Sequence, residues 1–216
     1  MANNRLRPVA QPRLPSAPIG YAPQYHEQYS NVLRLFFDRL INTVSAVIGR
    51  NGGQYVECPN GLFFNTGEQL FAAINTAYPV VFNQTYLDNA VGLQTGSTSR
   101  IQVTVSGVYN FQYTGQVLST NSSAKNIYLW LRRNGITIGY STRVRTVAAN
   151  NQSSPIAWNF NIDMQAGDYM ELVASVTDTN LHLHAEAAAG AHPGIPSSVL
   201  TVNYISPLPD TLPTPP

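Results

Sequence analysis

The chain has 216 residues, 44% of them hydrophobic and only 11% charged, with a formal net charge of +1. That length suits one substantial domain with extensions, and the near-neutral balance excludes a global electrostatic pull on nucleic acid or an anionic membrane. One cysteine, Cys58, excludes an internal disulfide and is expected to be a semi-buried thiol.

The charged fraction lies well below the usual quarter. Asn, Gln, Ser and Thr fill the gap, beside 12 tyrosines, a balance suited to surfaces and interfaces of assembled β-proteins. The apolar runs are too short to span a bilayer, so no membrane insertion is expected. Met1-Ala-Asn-Asn-Arg5 offers no apolar h-region, so synthesis in a reducing cytoplasm is expected.

Residues 1–23 carry prolines at 8, 12, 15, 18 and 23 together with Arg5, Arg7 and Arg13. Proline at this density removes backbone donors and holds φ near the polyproline value. The segment is expected to be an extended basic docking arm with no core of its own.

Residues 24–48 predict the one long helix. Tyr25, Tyr29, Val32, Leu33, Phe36, Phe37, Leu40, Ile41 and Val44 fall at the steps of a wide helical stripe. Pro23 precedes it and Gly49 follows it, the expected punctuation. At 1.5 Å per residue it would run about 35 Å. So aromatic a stripe packs either on the body of the same chain or on copies of itself or a partner, and the lack of a second helix to cover it favours the latter. Tyr29, Phe36, Phe37 and Leu40 are its candidate docking residues.

Residues 49–79 read as a connector, with turn signals at Asn51-Gly-Gly53 and Asn60-Gly61. From 80 to 205 the pattern is strand throughout: 80–86, 100–105, 108–118, 126–133, 136–146, 156–164, 168–177, 180–186 and 198–205. About nine short strands between regular turn clusters argue for a β-sandwich or jelly roll. Asn134-Gly135 is the strongest hairpin signal, because its turn demands φ > 0 at both positions. Residues 206–216 form a second proline-rich tail.

Gly107-Val-Tyr109-Asn-Phe111-Gln-Tyr113 alternates strictly, placing Tyr109, Phe111 and Tyr113 on one face. In 126–133, Ile127, Leu129 and Leu131 take one face and Tyr128 and Trp130 the other. A sheet with one solvated face does not look like that. These five aromatics are the candidates for core and trimer contacts.

Catalytic chemistry is not indicated. His182 and His184 share a strand face, but only Glu186 stands near in sequence; exposed or interface histidines are expected and no metal or cofactor is assigned. Asp168 after Gly167 reads as a turn residue. Tyr140, Trp158 and Tyr169 fall in predicted strands and are expected to be packed, although aromatics of this kind also stack on sugars.

Gly107-x-Tyr109-x-Phe111-x-Tyr113, the spacing Phe82…Asn89…Leu93, and Ala166-Gly167-Asp168-Tyr169-x-x-Leu172 resemble the C1q/TNF-like jelly-roll superfamily over roughly 80–205. Further pieces are similar to virion structural proteins of marine, T7-like bacteriophages: Asn75-Thr-Ala-Tyr-Pro79, the Tyr109 to Gln112 strand, the Ile127 to Gly135 hairpin, and the opening Arg13 to Tyr25. One departure is plain: C1q relatives carry a collagen stalk, and no Gly-x-y repeat exists here.

The resemblance implies a mainly β jelly-roll sandwich, a homotrimer, and a non-enzymatic place on the virion after synthesis in the host cytoplasm. The expected role is a capsid decoration or cement protein, or a short fibre or knob, contacting other capsid or tail proteins through the arm and helix. The alternative is an adhesin head that binds a host-surface glycan.

Overall fold

The computed structural model describes residues 12–14, 16, 19–20, 22–48, 58–149 and 151–208, and for 45–48 the backbone alone. The chain forms two compact units, Met1–Glu57 and Cys58–Pro216.

The first unit holds helix α1, Pro23–Ile48. Proline is tolerated in a first helical turn because its missing N–H has no partner there. The carbonyl of Ala22 accepts from the N–H groups of Tyr25 (3.0 Å) and His26 (3.3 Å). Tyr29, Phe36 and Leu40 are half-buried, and Phe37 is 51% exposed. Leu35, Ile41 and Val44 are exposed as well. Arg13 is exposed; Arg5, Arg7 and the 206–216 tail beyond Leu208 lie outside the described residues.

The second unit is a two-sheet antiparallel sandwich. Its strands are β1 (Asn60–Asn65), β2 (Gln69–Leu70), β3 (Tyr78–Pro79), β4 (Gln84–Asn89), β5 (Val91–Leu93), β6 (Ile101–Val103) and β7 (Gly107–Ser119). There follow β8 (Lys125–Arg133), β9 (Ile136–Thr137), β10 (Arg143–Val147), β11 (Gln152–Met164), β12 (Tyr169–Val176), β13 (Leu181–Leu183) and β14 (Ser198–Ser206). The first sheet runs β2-β13-β7-β14-β1-β4, with β11 paired to β7. The second runs β10-β8-β12-β6-β5, with β3 on β12 and β9 on β8. The chain crosses between sheets repeatedly and its first strand pairs with its last. This is the jelly-roll arrangement.

The core lies between the sheets. Tyr109 and Phe111 are 0% exposed and Tyr113 is 1% exposed. They pack among Val202 and Leu200 of the same sheet and Leu129, Leu172 and Ile101 of the other. Both core tyrosine hydroxyls are paired: that of Tyr113 lies 3.1 Å from Ser198 Oγ, and that of Tyr109 donates to the carbonyl of Val105 at 2.6 Å. Gly107 is required by close approach, because a Cβ there would strike the ring of Tyr204.

Several expectations are corrected. The 49–79 connector contains β1, β2 and β3, and Phe63 of β1 is 0% exposed in the core. The β-unit therefore begins near Cys58 rather than at 80. Residues 80–83 are not a strand, although Val80 and Phe82 are buried. The 136–146 strand breaks into β9 and β10 around Tyr140, whose φ is 56°. Cys58 is exposed, not semi-buried. Asn134 and Gly135 do adopt φ of 50° and 80°, and Arg133 pairs with Ile136 across the turn.

Phe111→Ala should cost about 3–5 kcal/mol, as expected for removing a fully buried aromatic. Denaturant unfolding of the purified chain measures it; a loss under about 1 kcal/mol would place the ring outside a packed core.

Candidate functional site

The five candidate aromatics divide between two environments. Tyr109, Phe111 and Tyr113 fill the core of a single chain, so their rings have no free face for a neighbouring subunit. Of the two roles the sequence offered them, core or trimer contact, burial gives these three the core. Tyr128 and Trp130 lie on the opposite face of β8 from Ile127, Leu129 and Leu131 and are half-buried.

The sandwich opens along one edge, between β11 of the first sheet and β8 to β10 of the second. A cleft of about 450 Å³ lies there, lined by Trp158, Phe160, Ile138, Tyr140 and Arg143 among others. β11 is an edge strand paired only with β7. Its inward row starts with buried Ile156 and ends with buried Met164, while Trp158, Phe160 and Ile162 between them stay half-exposed. Phe160 stacks on Phe111 (centroids 5.2 Å, interplanar 7°), and Trp158 meets Phe160 at 4.8 Å. The Arg143 guanidinium sits 5.5 Å from the Trp158 ring centroid, within reach of a cation–π contact. Tyr140 is 97% exposed rather than packed.

A charged pair stands at one end of this aromatic floor. Arg133 Nη1 pairs with Asp163 Oδ2 at 2.9 Å. On the other face of β7 and β11, away from these rings, Asn110 Nδ2 donates to the side-chain carbonyls of Asn159 and Asn161, and Gln112 Nε2 donates to Asn110 Oδ1 at 2.9 Å. The amides are cross-strand neighbours, since Asn110 faces Asn161 and Gln112 faces Asn159. Asp163 is the one carboxylate among the described residues lining the cleft. Glycoside hydrolysis in its common form uses two. The cleft presents aromatic ring faces beside the guanidinium groups of Arg133 and Arg143 and this one carboxylate.

A second polar cluster sits on the β2–β13 pair. Leu181 and Leu183 face the core, which turns His182 and His184 outward. β2 runs antiparallel beside them with His182 opposite Leu70, so Glu68 comes alongside. Its Oε1 lies 2.9 Å from His184 Nδ1 and 3.8 Å from His182 Nε2. His184 Nε2 lies 3.1 Å from Glu186 Oε1. Burial pushes His182 below the ordinary histidine value, against the attraction of Glu68. Glu186 was visible from sequence. Glu68, 116 residues before His184, was not, because only the β2–β13 pairing brings it there.

Asp168 serves the turns, as its position suggested. Its carboxylate accepts from the N–H of Gln165 (2.9 Å) and from Asn134 Nδ2 (2.7 Å), beside Gly167 at φ 96°. Tyr169 is half-buried beneath the Arg100 guanidinium, 4.7 Å from its centroid.

No family model matches the chain, and no curated protein matches it. Among solved structures it is similar to the globular domain of zebrafish complement 1qA protein, at 15% identity and a TM-score of 0.47, covering 70% of this chain and 100% of that one. The jelly-roll assignment rests on the strand order described above.

Acidification tests the His182 environment. Its pKa is lowered from 6.5 in the folded chain. As pH falls below about 6.5 the unfolded chain takes up a proton that the folded chain refuses, so this contribution to stability is present above that value and lost below it. His182→Gln should flatten that part of the pH–stability curve, measured by denaturant unfolding with chelator present. An unchanged slope would mean that the ring titrates alike in both states.

Proposed function

We propose that this protein is a non-enzymatic structural or attachment component of a bacteriophage particle. The β-unit is presented outward and the first unit provides the attachment. The observation that carries this reading is the open apolar stripe of α1. Among its described side chains none is buried, Phe37 and Ile41 are each more than half exposed, and Val44 is exposed as well. A helix with so much bare apolar surface calls for a partner or for copies of itself. The particle itself comes from the sequence resemblance to virion proteins, which also implies a homotrimer. Three stripes meeting together would remove this surface from water, and three arms acting together would raise effective concentration at the particle.

The core of the β-unit is complete within one chain, so the head does not depend on the arm for its apolar packing. Deleting residues 1–48 should therefore leave a folded head that no longer enters particles. Quantitative immunoblotting of purified particles measures incorporation. Undiminished incorporation of the deleted chain would overturn the role of the helix and arm.

The edge cleft favours a second reading, a glycan-binding head. Trp158 and Phe160 offer ring faces, and Arg143 offers hydrogen-bond donors beside them. Reproducible hits on a glycan array that fall at least tenfold in Trp158→Ala would favour this reading. Hits that survive the substitution would place sugar binding elsewhere.

A further inference from the structure

The outward face of the β2–β13 pair brings together an oxygen and two imidazoles that the proposed function does not use. Glu68, His182 and His184 each offer one ligand atom, and these atoms all lie within 4.8 Å of one another. Two atoms bound to one tetrahedral zinc-like ion, at about 2.0–2.2 Å each, stand about 3.3–3.5 Å apart. The Glu68 Oε1 distances of 2.9 Å to His184 and 3.8 Å to His182 bracket that spacing. The imidazole nitrogens lie within 4.8 Å of each other, so binding an ion requires the side chains to close on it.

The surroundings fit as well. A metal-bound imidazole typically donates its other N–H to a carboxylate or carbonyl, which sets the tautomer and the ring orientation. His184 presents Nδ1 to Glu68 while Nε2 faces Glu186 Oε1 at 3.1 Å. The Glu186 backbone is itself held, donating to Ile195 at 2.9 Å and accepting from it at 2.8 Å. The imidazoles are 12% and 18% exposed while Glu68 is 45% exposed, so the rings are held by packing and the cluster remains open to solvent on the carboxylate side.

We propose that Glu68, His182 and His184 form a binding site for a divalent ion of the zinc class, with Glu186 orienting His184 from behind. Two imidazoles and one carboxylate suit zinc or cobalt rather than calcium or magnesium, which prefer all-oxygen sets. The fourth position is left for water or for a group on a partner. The site clips β2 to β13.

The test uses the full chain without a histidine tag, stripped by chelator and titrated with Zn²⁺ or Co²⁺. One saturable equivalent per chain is expected, with visible Co²⁺ absorption and a raised thermal midpoint. His182→Gln and His184→Gln should each weaken binding at least about 100-fold, and Glu186→Gln about 10-fold. Glu68→Gln alters a largely exposed side chain, so it keeps the comparison valid if a histidine variant fails to fold; it too should weaken binding at least about 10-fold. His192→Gln should change nothing. Absence of saturable binding, or affinity unchanged in Glu68→Gln and in the histidine variants that fold, would overturn the proposal and leave a cluster of His–carboxylate ion pairs.

Discussion

The constraint on which the β-unit depends is the two-sided pairing of β7. From Gly107 to Ser119 it is matched residue for residue by β11 on one side. On the other side β14 covers Val108 to Gly115 in a register that slips only between Tyr204 and Ser206, and β13 covers Val117 to Ser119. A strand held on both edges cannot slip by one residue without turning its whole aromatic row outward. Tyr109, Phe111 and Tyr113 are thereby committed to the core, and a buried polar seam follows from them. Ser198 meets the Tyr113 hydroxyl, and Gln69 donates to Ser198 Oγ at 3.2 Å and accepts from the N–H of Val81 at 2.9 Å. This seam ties β14, β2 and the irregular 80–83 segment to the central strand. Burial drives the Tyr113 hydroxyl well above its ordinary pKa, so it stays a neutral partner at any physiological pH.

That commitment determines where function can lie. Aromatics consumed by the core cannot also recruit a subunit, so any surface for recognition must lie at the periphery. The sandwich edge is one such place, because β11 extends past the cover of the second sheet and leaves Trp158 and Phe160 half-exposed. The outward face of β2–β13 is another, and the stripe of α1 is a third. The rings of the cleft rest on the core through the Phe160–Phe111 stack, which gives a surface site a rigid base.

Much of this was legible in the sequence where one short-range rule dominates. Strict alternation identified β7, the 3.6-residue stripe identified α1, and Asn134-Gly135 marked its turn. Failures came where tertiary context decides. Asn60–Asn65 is a core strand of only six residues whose Asn-Gly start mimicked a turn, and its role depends on β14, more than 130 residues later. Val80 and Phe82 showed the right residue types, but their backbone is satisfied outside a ladder, with Val80 donating to Leu172 and Phe82 to Thr98. Tyr140 looked like a strand residue until its positive φ turned it outward. Glu68 carried no signal at all, since its histidine neighbours arrive through strand pairing rather than spacing.

The central claim is a division of labour: a β-unit that completes its own core, and a helix whose apolar stripe associates chains or docks them. Light scattering of the full chain beside residues 58–208, with unfolding of the shorter piece followed in parallel, tests it most directly. The account predicts a trimer for the full chain and a cooperatively folding, less associated head for the shorter piece. A monomeric full chain, or a head that fails to fold without the first unit, would contradict it.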